Sequence, residues 1–86
     1  MMGNIDIDLN VLTANAANFS LNCSVITFRN RGQTMVFLRK SGEAIEIFPG
    51  MQETFQAPPG FNYITSFDIE FETGQGNLLI IKEHYN

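Results

Sequence analysis

The stretch AIEIFPGMQETFQAPPGFNYITSFDIEFE, residues 44–72, decides the fold. Apolar and polar residues alternate, stop at Pro49-Gly50, alternate again, stop at Pro58-Pro59-Gly60, and resume. A period of two is that of a half-buried β-strand. Proline fixes its own φ and cannot donate to a ladder, and the glycine after it takes a left-handed φ, so each Pro-Gly reads as a corner between strands. In the last run Phe61, Tyr63, Thr65, Phe67, Ile69 and Phe71 share one face. Asn62, Ser66, Asp68, Glu70 and Glu72 share the other, with Ile64 the exception.

The same grammar extends outward. In NIDIDLNV the residues Ile5, Ile7, Leu9 and Val11 lie on one side, and Asp6, Asp8 and Asn10 on the other. In FSLNCSVITFRN the apolar face switches from Phe19, Leu21, Cys23 and Val25 to Ile26 and Phe28, which predicts a β-bulge near Val25 or a strand covered on both sides. TMVFLRK, KSGEA and AIEIF read as strand, tight hairpin turn at Gly42, and strand. TGQGN is a further turn, and LLIIKEHY a closing strand. LTANAANF, residues 12–19, lacks an apolar stripe at helical spacing and is expected to be a loop or a single turn. About seven short strands separated by glycine or proline predict an all-β fold, a single small antiparallel β-sandwich, Ig-like or jelly-roll-like. Phe61, Phe67, Ile69 and Phe71 are expected to form its core with Phe28, Phe37, Ile47 and Ile80.

The chain has 86 residues, enough for one domain, 1–86, with residues 1–18 a possible N-terminal strand or arm. A domain of this size buries only about 60% of the surface its unfolded chain exposes, so reinforcement is expected from outside the core. The single cysteine, Cys23, excludes an internal disulfide and reads as a buried small hydrophobe. Association with other subunits is the natural reinforcement.

Nine acidic against five basic residues give a net charge of −4. That balance offers no basic stripe to displace counterions from a nucleic acid, although Arg29, Arg31, Arg39 and Lys40 cluster in sequence. NLLII is too short to cross a bilayer, and MMGNIDID has neither the basic region nor the apolar core of a signal peptide. Synthesis in the cytoplasm is therefore expected, and the sequons Asn18-Phe-Ser20 and Asn22-Cys-Ser24 read as chance matches.

Residues that could carry chemistry are few. His84 is the only histidine, two residues from the last, and no nucleophile-elbow sequence accompanies it. One cysteine and one histidine leave half of a zinc shell unfilled. Asp6-x-Asp8 and Asp68-x-Glu70-x-Glu72 offer oxygen ligands, but neither lies in a glycine-containing loop that would fold around calcium. These carboxylates read as solvated strand faces that discourage edge-to-edge aggregation. Gly74-x-Gly76 opens no helix and so is not a phosphate cradle. No catalytic, metal or cofactor residue is expected, and the chain reads as no enzyme.

Residues 25–85 also resemble the small all-β virion proteins of tailed phages and prophages. The features that carry the resemblance are an apolar strand ending in Asn30-Arg31-Gly32, the following hairpin, the Pro49-Gly50 turn with its polar strand, and the alternating Ile69-Glu70-Phe71. The resemblance implies a non-enzymatic virion structural protein, such as a capsid decoration, fibre-anchor, portal-ring or other head-tail component, residing in the virion as a homo-oligomer or with other virion proteins. It carries over no catalytic residue. The expected contact residues are Ile5, Ile7 and Leu9 on the first strand, Phe48 at one corner, and Phe61 and Tyr63 at another. A second expectation belongs to a different class: a monomeric binding module for a glycan or a host surface protein, using Phe61, Tyr63 and Asn62 beside Pro58-Pro59-Gly60.

Overall fold

Turn chemistry punctuates the chain as the sequence demands. The computed structural model describes residues 5–85. Among these residues the chain forms eight strands: β1 (Ile5–Ala14), β2 (Ala16–Cys23), β3 (Val25–Asn30), β4 (Val36–Lys40), β5 (Glu43–Ile47), β6 (Gln52–Gln56), β7 (Tyr63–Phe71) and β8 (Gln75–Tyr85). Ser41 and Gly42 join β4 to β5 with φ of 54° and 81°, the pair of positive values that a type I′ hairpin requires. At Pro49-Gly50 the N–H of Met51 donates to the Phe48 carbonyl at 3.0 Å, and Gly50 has a φ of 82°.

The strands form two four-stranded antiparallel sheets, β1-β8-β3-β6 and β2-β7-β4-β5. First pairs with last, second with second-last, and so inward to the β4–β5 hairpin, with successive pairs alternating between the sheets. This is one antiparallel ribbon rolled on itself, the strand order of a jelly roll. An Ig constant domain divides seven strands unequally between its sheets, so the topology resolves the two sandwich types left open above.

Two expectations about the strands are corrected. The run 19–30 is two strands, because the chain crosses from one sheet to the other at Ser24. Leu21 and Cys23 reach the core from one side, and Ile26 and Phe28 from the other, so the switch of apolar face marks a change of sheet. Residues 12–19 are not a loop: β1 runs to Ala14, Asn15 makes the corner and β2 begins at Ala16. An extra residue in β2 between Ala16 and Phe19 is absorbed by Asn18 at φ 53°, whose N–H donates to Asp68 Oδ1 at 2.8 Å. Local main-chain bonds to asparagine and aspartate thus replace the apolar periodicity that would have announced a strand.

The core between the sheets contains Phe28, Phe67, Ile69, Phe71, Ile47, Leu78 and Ile80, with Phe55 partly buried against it. Phe28 meets Phe67 edge-on at 6.3 Å between centroids and Phe55 at 6.1 Å, an arrangement that aromatic quadrupoles favour. Two expected core residues lie elsewhere. Phe61 precedes β7, in the loop, and is 67% exposed. Phe37 stands opposite Glu46 and Glu70, whereas its neighbours Val36 and Leu38 point into the core, so it lies on the outer face beneath the Arg39 guanidinium.

Candidate functional site

Strand β1 holds the site, and its parity is set by Leu12. Leu12 stands opposite the buried Leu78 and packs against the core. Counting back along the strand by twos, Asn10, Asp8 and Asp6 lie on that inner side, opposite Ile80, Lys82 and His84. Val11, Leu9, Ile7 and Ile5 must then face outward, opposite Leu79, Ile81, Glu83 and Tyr85. Their exposures of 52, 64, 58 and 60% show that they stand open among the described residues. The polar and apolar sides of β1 are therefore inverted relative to an ordinary sandwich strand.

Leu79 and Ile81 extend the apolar row onto β8, and Arg29 and Thr27 of β3 stand next to them in register. The outer face of this sheet thus carries an apolar strip two strands wide, interrupted by Glu83. On its far side β1 is a sheet edge, since β8 is its neighbour in the strand order.

On the inner side of the ribbon the charges are distributed differently. Asp8 Oδ2 lies 3.7 Å from His84 Nε2, and Lys82 Nζ sits 5.1 Å over the Phe19 ring. Phe19 belongs to the facing sheet, so the Lys82 stem spans the gap beside the core and keeps its charge at the margin. Burial of the nearby Cys23 thiol raises its pKa above the ordinary 9.0, with Lys82 opposing that shift. A protonated, fully buried thiol is a poor nucleophile. Among the described residues no three His, Cys, Asp or Glu side chains converge as a metal shell. The carboxylates of β7 are divided among separate structural tasks: Asp68 accepts from Asn18, and Glu70 pairs with Arg39 at 2.9 Å.

The expected contact residues do not form one surface. Ile5, Ile7 and Leu9 share the outward row. Phe48 is 54% exposed at the corner hydrogen-bonded to Asn30, the last residue of β3, with Met51 exposed beside it. Phe61 lies at the other end of β3, where it lines a shallow hollow of about 160 Å³ with Asn62, Ser24 and Tyr85. Tyr63 is half-buried, its ring 5.8 Å from that of Phe55 in a separate open groove of about 290 Å³. Phe61 and Tyr63, adjacent on one face by alternation, therefore serve different hollows.

Sequence reasoning missed Leu79 and Ile81 as part of the strip. Their signal was the unbroken run Leu78–Ile81, since a strand apolar on both faces expects cover on both. No helix among the described residues is long and apolar enough to cross a membrane. Comparison with family models, with curated proteins and with solved structures finds no match.

Proposed function

We propose that this protein is a non-enzymatic structural subunit of a virion, a capsid auxiliary or head-tail component, that works by protein–protein assembly. The observation that carries the reading is the outward apolar row Ile5, Ile7, Leu9 and Val11 on an open sheet edge. A small domain with a limited core gains most from covering such a row with protein. The resemblance of residues 25–85 to small virion proteins of tailed phages supports the virion as the setting. Jelly rolls are frequent in viral capsids, which supports it at the level of fold analogy, although the same fold also serves lectins and cupins.

The test is mass spectrometry of density-purified particles from an induced host culture. Recovery of this chain at fixed stoichiometry with the major capsid or tail proteins is the expected result. Its absence from particles, with the chain present in the remaining lysate, rejects the virion role.

A second reading has its own observation. Phe61 is 67% exposed at the Pro58–Gly60 turn, next to Asn62 in the hollow of about 160 Å³. An exposed aromatic face beside an amide is the minimum of a glycan contact, which favours a binding module. Glycan-array binding that disappears in Phe61→Ala would establish that reading instead.

A further inference from the structure

From the β1 edge we infer that a second copy of this chain pairs with it, β1 to β1 and antiparallel, across a two-fold axis centred on Leu9. The inference deepens the assembly reading above and rests on it for the premise that β1 is a contact surface.

The choice of partner follows from comparing the sheet edges among the described residues. Edge strand β6 turns Gln52, Thr54 and Gln56 outward, since they share a face with Arg29, Thr27 and Val25 in register. Edge strand β5 sends Ile45 and Ile47 toward the core, which leaves Ala44 and Glu46 outside. Edge strand β2 sends Phe19, Leu21 and Cys23 inward and keeps Ser20 and Asn22 outside. Only β1 carries an apolar outer row, so within this protein its best match is itself. A self-complementary patch is the defining feature of a two-fold interface.

The strand is suited to pairing. Its ten residues contain no proline, glycine or lysine, the usual devices that blunt an edge. Its acidic residues, the one such device present, constrain register. Centring the axis on Asp8 would set two carboxylates face to face, which is unfavourable. Centring it on Leu9 sets Leu9 against Leu9 of the second copy, Ile7 against Val11, Asp8 against Asn10 and Asp6 against Leu12. The apolar row then continues across the axis, and no two carboxylates stand directly opposite. The two four-stranded sheets become one eight-stranded sheet.

Side-chain contact agrees with this arrangement. Four aliphatic side chains more than half exposed present roughly 400 Å² of apolar surface per copy, the scale of patches that mark interaction sites. Pairing sets the two rows side by side on one face, where cross-strand neighbours shield each other's flanks, and gives the main-chain donors and acceptors of the open edge their partners.

The experiment is sedimentation velocity over a micromolar concentration series, with crosslinking as a second measurement. Wild type is expected to dimerise. Leu9→Glu, at an exposed position outside the core, is expected to keep the wild-type circular dichroism and to weaken association about 100-fold or more, because two carboxylates would meet at the axis. Under mild oxidation Leu9→Cys is expected to form a disulfide-linked dimer, whereas Asp8→Cys, which stands opposite Asn10 in this register, is not. A wild type that stays monomeric, a Leu9→Glu protein that still dimerises, or a Leu9→Cys protein that fails to crosslink overturns the inference. These failures are separable from failure of the virion reading. A monomer would remain compatible with a subunit that needs a capsid lattice, and absence from particles would leave the dimer untouched.

Discussion

Asn30 Nδ2 donates to the Ile47 carbonyl at 2.9 Å, across the fully buried end of the sandwich. The same amide donates to the Thr34 carbonyl at 2.8 Å, and its Oδ1 accepts from the Gly32 N–H at 3.0 Å. One side chain thus ties the end of β3 to the loop after it and to the end of β5 in the other sheet. Every strong donor and acceptor of this amide but one lone pair is used, which is how a buried polar group avoids its desolvation cost.

Replacing Asn30 by Ala should therefore be among the most damaging single changes in the chain. It leaves two carbonyls and an N–H without their partner, and the expected loss is about 2–4 kcal/mol. Asn30→Leu should fail as well, since it fills the volume but restores none of the bonds. Urea unfolding with an unchanged m-value checks both. A loss under about 1 kcal/mol would mean that water can replace the amide, contrary to its burial.

A second prediction concerns Gly76, the point where β8 passes the core ring of Phe71. A Cβ built on Gly76 would overlap that ring. Gly76→Ala should cost about 1–3 kcal/mol, because Phe71 must leave its rotamer or the strand must shift. Phe71→Leu alone should also destabilise, but the double variant should lose less than the sum of the two. A double-mutant cycle measures that difference, and strict additivity would show that the ring and the glycine are not coupled.

How much of this was legible in the sequence follows from which forces act locally. The turns were legible because Gly42, Gly50 and Gly60 adopt their left-handed φ for reasons contained in their own turns. Phe67, Ile69 and Phe71 were legible because alternation inside a strand is local as well. The crossing at Ser24 was not, since only the opposing sheet reveals that Cys23 and Ile26 meet the core from opposite sides. The Asn15 corner was hidden for a similar reason. Its Oδ1 accepts from the N–H of Phe71, a residue 56 positions away. In the candidate site, the membership of Ile5, Ile7 and Leu9 could be read from their spacing, but their outward direction could not. Alternation defines two faces without saying which is covered, and here the contact of Leu12 with the core decides it.

Ser41 offers a stabilising change. It holds a φ of 54° at the first central position of the type I′ turn, a region that asparagine tolerates better than serine. Ser41→Asn creates the Asn-Gly pair that such turns prefer, and a gain of about 0.5–1 kcal/mol is expected. Ser41→Val, with its β-branched side chain, should move stability in the opposite direction. Thermal unfolding of the two variants beside wild type reads the sign directly, and equal midpoints would argue that the turn does not limit stability.

The last prediction follows from Cys23. Desolvation by burial raises its pKa above the ordinary 9.0, and Lys82 opposes the rise. For a thiol, burial favours the protonated form, so the folded state holds its proton to higher pH than the unfolded state does. The resulting stabilisation is fully present below the unfolded pKa and is lost as pH rises through the folded value. Stability near neutral pH should therefore be indifferent to this group, with the loss confined to the alkaline side of 9.0. Other groups titrate there too, so the informative quantity is the difference between wild type and Cys23→Ala. Cys23→Ala should be less stable than wild type at neutral pH by about 1 kcal/mol, from the small cavity it leaves, and should show a shallower alkaline decline. Reaction with an aromatic disulfide reagent gives an independent reading. The thiol should react many times more slowly in native buffer than in urea, and a native rate close to the unfolded one would mean that the core opens at Cys23 far more readily than its packing implies.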